Sequence, residues 1–392
     1  MEKILYYILF PLTLLALSSC DKTDEPLPVP STVHRTVIVY MVADNSLGAW
    51  GCDNADISEM VTAASSGALA GGRLIVYRSA RGTSEDNPPV LIDITRQGVD
   101  TLKCYPVFDA DDKRIYSVDP SRIREVLSDA KTLAPAEDYA MVFWSHSNGW
   151  LGAPSPGDNR YRAFGDDRGQ HITIPTLAST LEGERFSFIY FDCCQMANVE
   201  TAYQLRNLAP VIVGSPTELG IDGMRYDLNV PVFFSPEPDM EKAARNTFDS
   251  YNADGLPCQM TVMRTSGLDR LAAATKAILA TLADYPDGVE KIQRYCRPGE
   301  TCWSYDMRAY MRLLAADSHP ELYDEWQSAF DAVVTYAEAT PIAISDSFSP
   351  LYITDYSGLG MFAIKSPDDI TYRQYDSLAW WTDVVSACPA YK

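Results

Sequence analysis

The chain is poor in histidine: only four are scattered through 392 residues. No Cys-x-x-Cys accompanies them, which excludes the usual structural zinc sites. The sequence also lacks Gly-x-Ser-x-Gly, His-Glu-x-x-His and a phosphate-binding loop. Those absences leave little support for a serine hydrolase, a zinc peptidase or a nucleotide hydrolase. Positive charge is scarce too, with 32 Lys and Arg against 53 Asp and Glu and a formal net charge of −21. That balance argues against a nucleic-acid partner and against electrostatic adhesion to anionic lipid, and it is compatible with attraction of basic substrates. Finally, there is no apolar run of the roughly 20 residues a membrane span needs. The longest, Ile4 to Leu17, is interrupted by Pro11 and Thr13.

What is present begins with that short run. It follows Glu2-Lys3 and closes on Leu17-Ser18-Ser19-Cys20, a length that suits a signal-peptide core. Small residues before a cysteine resemble the bacterial lipobox. The expectation is therefore a signal peptide over 1–19, lipidation of Cys20 and anchorage to the outer membrane, on its periplasmic or its surface face. The bland alternative is an ordinary secretory peptide with an incidental Cys20. Asp21 to Thr32 holds four charged residues and three prolines, so 20–35 reads as an extended tether unable to bury a core.

About 360 residues remain, 46 % of the whole chain being hydrophobic, enough for one enlarged α/β unit or two average domains. Short continuous apolar runs at 36–42, 73–77, 139–144, 186–191 and 210–214 predict buried strands. Residues 90–94 and 101–107 predict a more exposed hairpin. Segments of helical period lie at 121–133 and 196–208. This alternation predicts an α/β fold with a mostly parallel sheet covered by helices on both faces. The last third carries long alanine-rich helical segments at 268–282 and 323–339, a strand at 358–364 and a closing helix at 377–386. The expected division is a core over 36–235 and a mainly helical subdomain over 236–392 packed on it. Of the cysteines, Cys296 and Cys302 are near enough in sequence to bridge across a turn. Cys52, Cys104, Cys258 and Cys388 have no evident partner, and sequence alone pairs none of them.

Sites in parallel sheets lie beyond the carboxyl ends of the strands, and two such ends carry reactive side chains. One is Trp144-Ser145-His146-Ser147-Asn148-Gly149-Trp150; the other is Phe191-Asp192-Cys193-Cys194-Gln195-Met196. A cysteine between a strand and a helix gains from the helix N-terminus, which favours thiolate. A thiolate with an imidazole in reach is an activated nucleophile, and the imidazolium then protonates a leaving amine. Taken singly, a strand-end cysteine is more often inert packing than nucleophile. Two such ends in one sheet point to a pair.

These motifs resemble the clostripain family of cysteine peptidases, of the caspase–gingipain–legumain clan, whose strands end in His-Gly-x-Gly-Trp and Phe-Asp-Ala-Cys-Leu-Met. Here they read HSNGW and FDCCQM, and VIVYMVADNSL, DYAMVFW and SPTELGIDGMRYD are also similar. The likeness runs from about Thr36 to Asp227 and more weakly beyond. It implies a caspase-like fold, with His146 and Cys194 as the catalytic dyad of an endopeptidase. It also implies Asp192 at the base of a pocket for Arg or Lys, paired with the substrate cation. Asp222 is a second pocket candidate, its plain alternative being a turn residue in Ile-Asp-Gly. Ser147 and Trp150, within the histidine motif, are the other expected substrate contacts.

Three positions depart from the family pattern. Ser147 replaces a glycine whose N–H lies near the substrate carbonyl, which weakens the expected oxyanion contact. Cys193 replaces alanine, and Gln195 replaces an apolar residue. The resemblance further implies self-cleavage between histidine and cysteine. Leu151 to Gln170, rich in Gly, Pro and Asp, offers Arg160, Arg162 and Arg168 for it. Asp158, Asp166 and Asp167 are carboxylates of the kind calcium takes, and some family members use calcium. No EF-hand spacing supports a site, so no metal or other cofactor is required. The expected partners are proteins or peptides with Arg or Lys, and the membrane through the lipid anchor. The alternative is a catalytically weak surface lipoprotein that binds peptide in the same cleft.

Overall fold

Ten residues that are β-branched or apolar at nearly every position, Val33–Val42, form β1, and eight of them are buried. The computed structural model describes residues 31–151, 163–298, 301–343, 350–370 and 372–392. Both faces of β1 are covered: Ile38, Tyr40 and Val42 enter one apolar cluster, and Val37, Val39 and Met41 enter the other. This is why the run is continuous rather than alternating.

After β1 come α1 (Ser46–Trp50), α2 (Cys52–Ser65), β2 (Arg73–Ser79), β3 (Val90–Thr95), β4 (Gly98–Cys104), α3 (Pro120–Leu133) and β5 (Ala136–Trp144). A small hairpin follows, β6 (Phe164–Asp167) and β7 (Gln170–Ile172). Next are α4 (Ile174–Thr180), β8 (Ile189–Asp192), α5 (Val199–Leu205), β9 (Val211–Gly214), α6 (Tyr226–Phe233) and α7 (Met240–Ala253). The last third adds β10 (Gln259–Arg264), α8 (Leu268–Leu279), β11 (Tyr305–Asp306), α9 (Met307–Ala315), α10 (Pro320–Val333) and β12 (Val334–Ala339).

The main sheet has nine strands in the order β12-β10-β9-β8-β5-β1-β2-β3-β4. Its centre, from β2 through β1, β5 and β8 to β9, is parallel, and antiparallel strands close both edges. Helices α3, α4, α5 and α8 cover one face; α2, α6 and α7 cover the other. The expected α/β fold with a mostly parallel sheet is therefore present.

Two local expectations are corrected. The helix read over 323–339 ends at Val333, and its β-branched tail pairs with β10 as an edge strand. The last third thus contributes two strands to the sheet as well as helices, and the boundary placed at 235 falls between α6 and α7. The strand expected over 358–364 is confined to Gly360–Met361, paired with β11. Among the described residues, no helix is long and apolar enough to cross a membrane.

The chain leaves β1 for β2 on one side and leaves β5 for β8 on the other. The point where these directions part, at the carboxyl ends of β1 and β5, is where a doubly wound sheet opens a crevice.

Candidate active site

Strands β5 and β8 are parallel neighbours, with Trp144 opposite Asp192. Adjacent strands lie about 4.8 Å apart, so His146 and Cys194, each two residues further on, emerge side by side. Two contacts keep the loops together. The Ser147 hydroxyl donates to the Cys194 carbonyl, and the Asn148 amide donates to Gln195 Oε1 at 3.0 Å. Gly149 sits at φ +60°, where a Cβ would lie 2.4 Å from Asn198 Nδ2 and 2.6 Å from the Gln195 carbonyl. Glycine alone permits that approach.

The histidine loop is held from its other side by β6. Gly165 N–H donates to the His146 carbonyl (3.0 Å) and Asn148 N–H to the Ala163 carbonyl (3.4 Å). These bonds bracket the antiparallel Ser147–Phe164 pair, so the Ser147 N–H is directed away from β6. Ser147 has no positive φ, and its hydroxyl adds a tie that the usual glycine could not make. His146 is half-buried, and its Nε2 is 2.8 Å from the exposed Ser46 hydroxyl at the start of α1. Asn45 sets that start: its Oδ1 accepts Leu47 N–H, while its amide donates to the carbonyls of Val42 and Asp166.

Cys194 is half-buried, its thiol donating to the Leu219 carbonyl at 3.7 Å. Burial pushes this thiol up to about 12, and the carboxylate of Glu218 pushes the same way. The helix-dipole expectation is therefore corrected. Asn198 caps α5, which begins only at Val199, and a turn with Gln195 at φ +60° separates the cysteine from it. Too far from the helix end to feel it, the thiol stays neutral. Above it, Arg297 grips both oxygens of Glu218, one of them from Nη2 at 2.8 Å. Cys193 points the other way, into the cluster that holds Phe191, and is 3 % exposed. Burial raises its thiol well above the usual range.

Asp192 shares its sheet face with Trp144 and is also buried. Its Oδ1 accepts Met224 N–H at 2.9 Å, and its Oδ2, with the Tyr226 hydroxyl as a neighbour, has no well-formed hydrogen bond. Gly223, at φ +59°, lets the loop pass close: a Cβ there would stand 3.0 Å from both carboxylate oxygens. Burial moves Asp192 up to about 7. Beside it is Asp56 of α2, which accepts the Trp144 indole N–H at 2.6 Å. Burial first, and the charge of Asp192 second, move Asp56 up to about 9. At neutral pH the two carboxyls hold at least one proton between them.

The remaining expected residues are distributed differently. Asp222 is exposed on the loop after β9. Trp150, 2 % exposed, packs among Trp303, Phe362 and Tyr375 and anchors the histidine loop. Arg168 occupies the turn between β6 and β7 at φ +53°, donating to Asp44 (2.6 Å) and to the Thr83 carbonyl (2.9 Å). Asp166 accepts Gly169 N–H, and Asp167 accepts Ser117 N–H. Among the described residues no group of three or more His, Cys, Asp or Glu is placed to hold a metal ion. Cys20, Asp158, Arg160 and Arg162 lie outside the described residues. Ser46, Asp56, Glu218 and Arg297 went unnoticed in the sequence. Ser46 lies within the stretch VIVYMVADNSL and Glu218 within SPTELGIDGMRYD, whereas Asp56 and Arg297 reach the site only through tertiary packing.

The chain as a whole has relatives. The profile of the Clostripain family matches residues 39–376. A structure described as an inactive zymogen C11 protease from Parabacteroides distasonis is 25% identical, with a TM-score of 0.77; the match covers 91% of this chain and 99% of that one. A secreted C11 cysteine protease from Bacteroides thetaiotaomicron, in complex with an irreversible peptide inhibitor, is 27% identical with a TM-score of 0.75. That match covers 90% of this chain and 99% of the other. Comparison with curated proteins found no match.

Proposed function

The chain belongs to the clostripain family and is a cysteine peptidase, and from that premise we propose that it cleaves after Arg or Lys through a Cys194–His146 dyad. The observation that carries this reading is the register of β5 and β8. It sets His146, Cys194 and the buried Asp192 at neighbouring strand ends, with Asp192 Oδ2 lacking a well-formed hydrogen bond.

The neutral thiol dictates the order of events. His146 removes the Sγ proton as substrate arrives, and the thiolate attacks the scissile carbonyl carbon. The oxyanion that forms meets the Ser147 N–H, which β6 leaves unused and aims toward the cysteine side. The imidazolium then protonates the leaving amine, and water hydrolyses the thioester. The cationic side chain before the cut bond enters the space over Asp192, where an unpaired carboxylate oxygen in a dry site favours it strongly. A fluorogenic panel varying that residue tests the reading. Arg and Lys substrates should dominate, and an Arg-directed acyloxymethyl ketone should label Cys194.

Ser46 is the positioning residue for His146. Its hydroxyl on Nε2 fixes the imidazole's rotation, and one such bond is worth about 1 kcal/mol, roughly fivefold in rate. Ser46→Ala should lower kcat by about that factor, leave KM little changed and displace the pH profile of kcat. Ser46→Thr, which keeps the hydroxyl, should restore both. An unaltered pH profile in Ser46→Ala would assign the serine to α1 alone.

We further propose export with lipidation at Cys20, in keeping with the secreted relative; loss of acyl incorporation in Cys20→Ser is its test. Self-cleavage between the dyad residues belongs to the same reading. The loop's arginines meet the site at high effective concentration. Arg168 is held in a tight turn by Asp44, whereas a scissile segment must be extended, so Arg160 and Arg162 are the favoured positions. Purified protein should therefore separate on denaturing gels into two fragments, the larger beginning at Tyr161 or Ala163. Cys194→Ala should remain one chain. A fully active but intact wild type would remove self-cleavage from the scheme.

A further inference from the structure

Beyond the dyad, a second pair of sulfurs stands near the site. Residues 294–298 and 301–305 run antiparallel, with Arg294 opposite Tyr305 and Tyr295 N–H donating to the Ser304 carbonyl at 2.9 Å. Cys296 and Cys302 lie one in each arm, 1 % and 4 % exposed. Their surroundings fix both sulfurs. Cys296 Sγ accepts the N–H groups of Trp303 (3.1 Å) and Ser304 (3.2 Å). Cys302 Sγ donates to the Ser304 carbonyl at 3.0 Å, and Cys296 Sγ is 3.7 Å from the same oxygen.

We propose that Cys296 and Cys302 form a disulfide in the functional protein, and that this bond holds Arg297 on Glu218 beside the catalytic thiol. The bond forms while the chain folds, before the sulfurs are buried. A small-molecule or protein disulfide accepts the two electrons and two protons that the thiols lose and becomes a dithiol, or two thiols. In the folded, reduced protein the neighbouring Cys296 thiol and the charge of Arg294 bring Cys302 down to about 7 despite burial, while burial raises Cys296 well above its usual value.

The consequence for the site follows from the next residue. Arg297 is adjacent to Cys296, its carbonyl takes a 2.7 Å bond from Arg294 Nη2, and its guanidinium spans Glu218. Among charged groups, Glu218 disfavours the Cys194 thiolate most, and Arg297 opposes it. On the other arm, Trp303 lies edge-on to Trp150 with ring centroids 5.8 Å apart, so the same pair braces the histidine loop. Linking the two arms at Cys296 and Cys302 fixes both contacts at once.

The bond itself is independent of the peptidase reading; only its effect on Cys194 rests on it. The full chain is folded with oxidised glutathione, and its open thiols are then alkylated without reductant and mapped by mass. The expected product links the Cys296 peptide to the Cys302 peptide, and reduction separates them. Complete alkylation of both cysteines would overturn the disulfide. Cys194 labelling by iodoacetamide then reads the coupling across pH. Arg297→Ala and Cys296→Ser/Cys302→Ser should both label more slowly than the oxidised wild type, about tenfold for each unit by which the thiol rises. Slowing in Arg297→Ala with none in the double serine variant would show that the bond does not hold Arg297. Slowing in neither would remove the Glu218–Arg297 effect, whatever substrates the wild type cleaves.

Discussion

Cys194→Ala is expected to abolish peptide cleavage, a loss of roughly 10⁴-fold or more, while Cys193→Ala keeps most of the activity. The two thiols are adjacent in sequence, but the pleat sends them to different surroundings. Cys193 is packed at 3 % exposure in the apolar cluster, whereas Cys194 is half-buried beside the histidine loop. Only the second shares a site with His146. Cys193→Ala removes one buried sulfur and costs a little stability, so its thermal midpoint should fall slightly while kcat/KM survives. Circular dichroism of both variants guards against misfolding. Equal loss of activity in both, with folding intact, would mean that the nucleophile is misassigned.

The framework was readable because burial on both faces leaves a one-dimensional mark. Strands β1, β2, β5, β8 and β9 are uninterrupted apolar runs, and the two reactive residues sit directly beyond two of them. β10 escaped notice because Gln259, Thr261 and Arg264 break its apolar pattern. Its buried polar side chains are satisfied from afar: the Gln259 amide reaches Thr340, and the Thr261 hydroxyl reaches the Gly358 carbonyl. The helix over 323–339 was overextended because Ala337 and Ala339 suit a helix, whereas the free edge of β10 claims them for a strand. The same limit applies at the site. Nothing local marks Asp56 as a neighbour of Asp192, since the contact needs α2 packed over the end of β5. Nor does the chain around Arg297 announce its partner Glu218, 79 positions earlier. The thiolate expectation failed for a local reason: a left-handed turn at Gln195 delays α5 by a full turn of helix.

Asp192→Asn is expected to lower kcat/KM for Arg substrates by at least about tenfold, equivalent to roughly 1.4 kcal/mol, without an equal gain on neutral substrates. Asparagine keeps the acceptor for Met224 N–H, so the loop stays in place while the charge disappears. In the wild type the charge itself depends on pH. Because burial moves Asp192 up to about 7, the pocket loses its anion below that value, and kcat/KM for Arg should climb as pH rises through 7. A neutral substrate lacks this rise, which separates the pocket from the dyad. Stability moves oppositely. The folded state keeps a proton that the unfolded chain has released, so stability is lost as pH rises from the ordinary carboxylate range to about 7. Removing the buried acid lifts that penalty, and Asp192→Asn should melt no lower than the wild type at pH 7.5. Reduced activity together with unchanged or raised stability is the signature of a pocket charge. A wild type that cleaves chiefly after Leu or Asp would overturn the assignment of Asp192 to a cationic side chain.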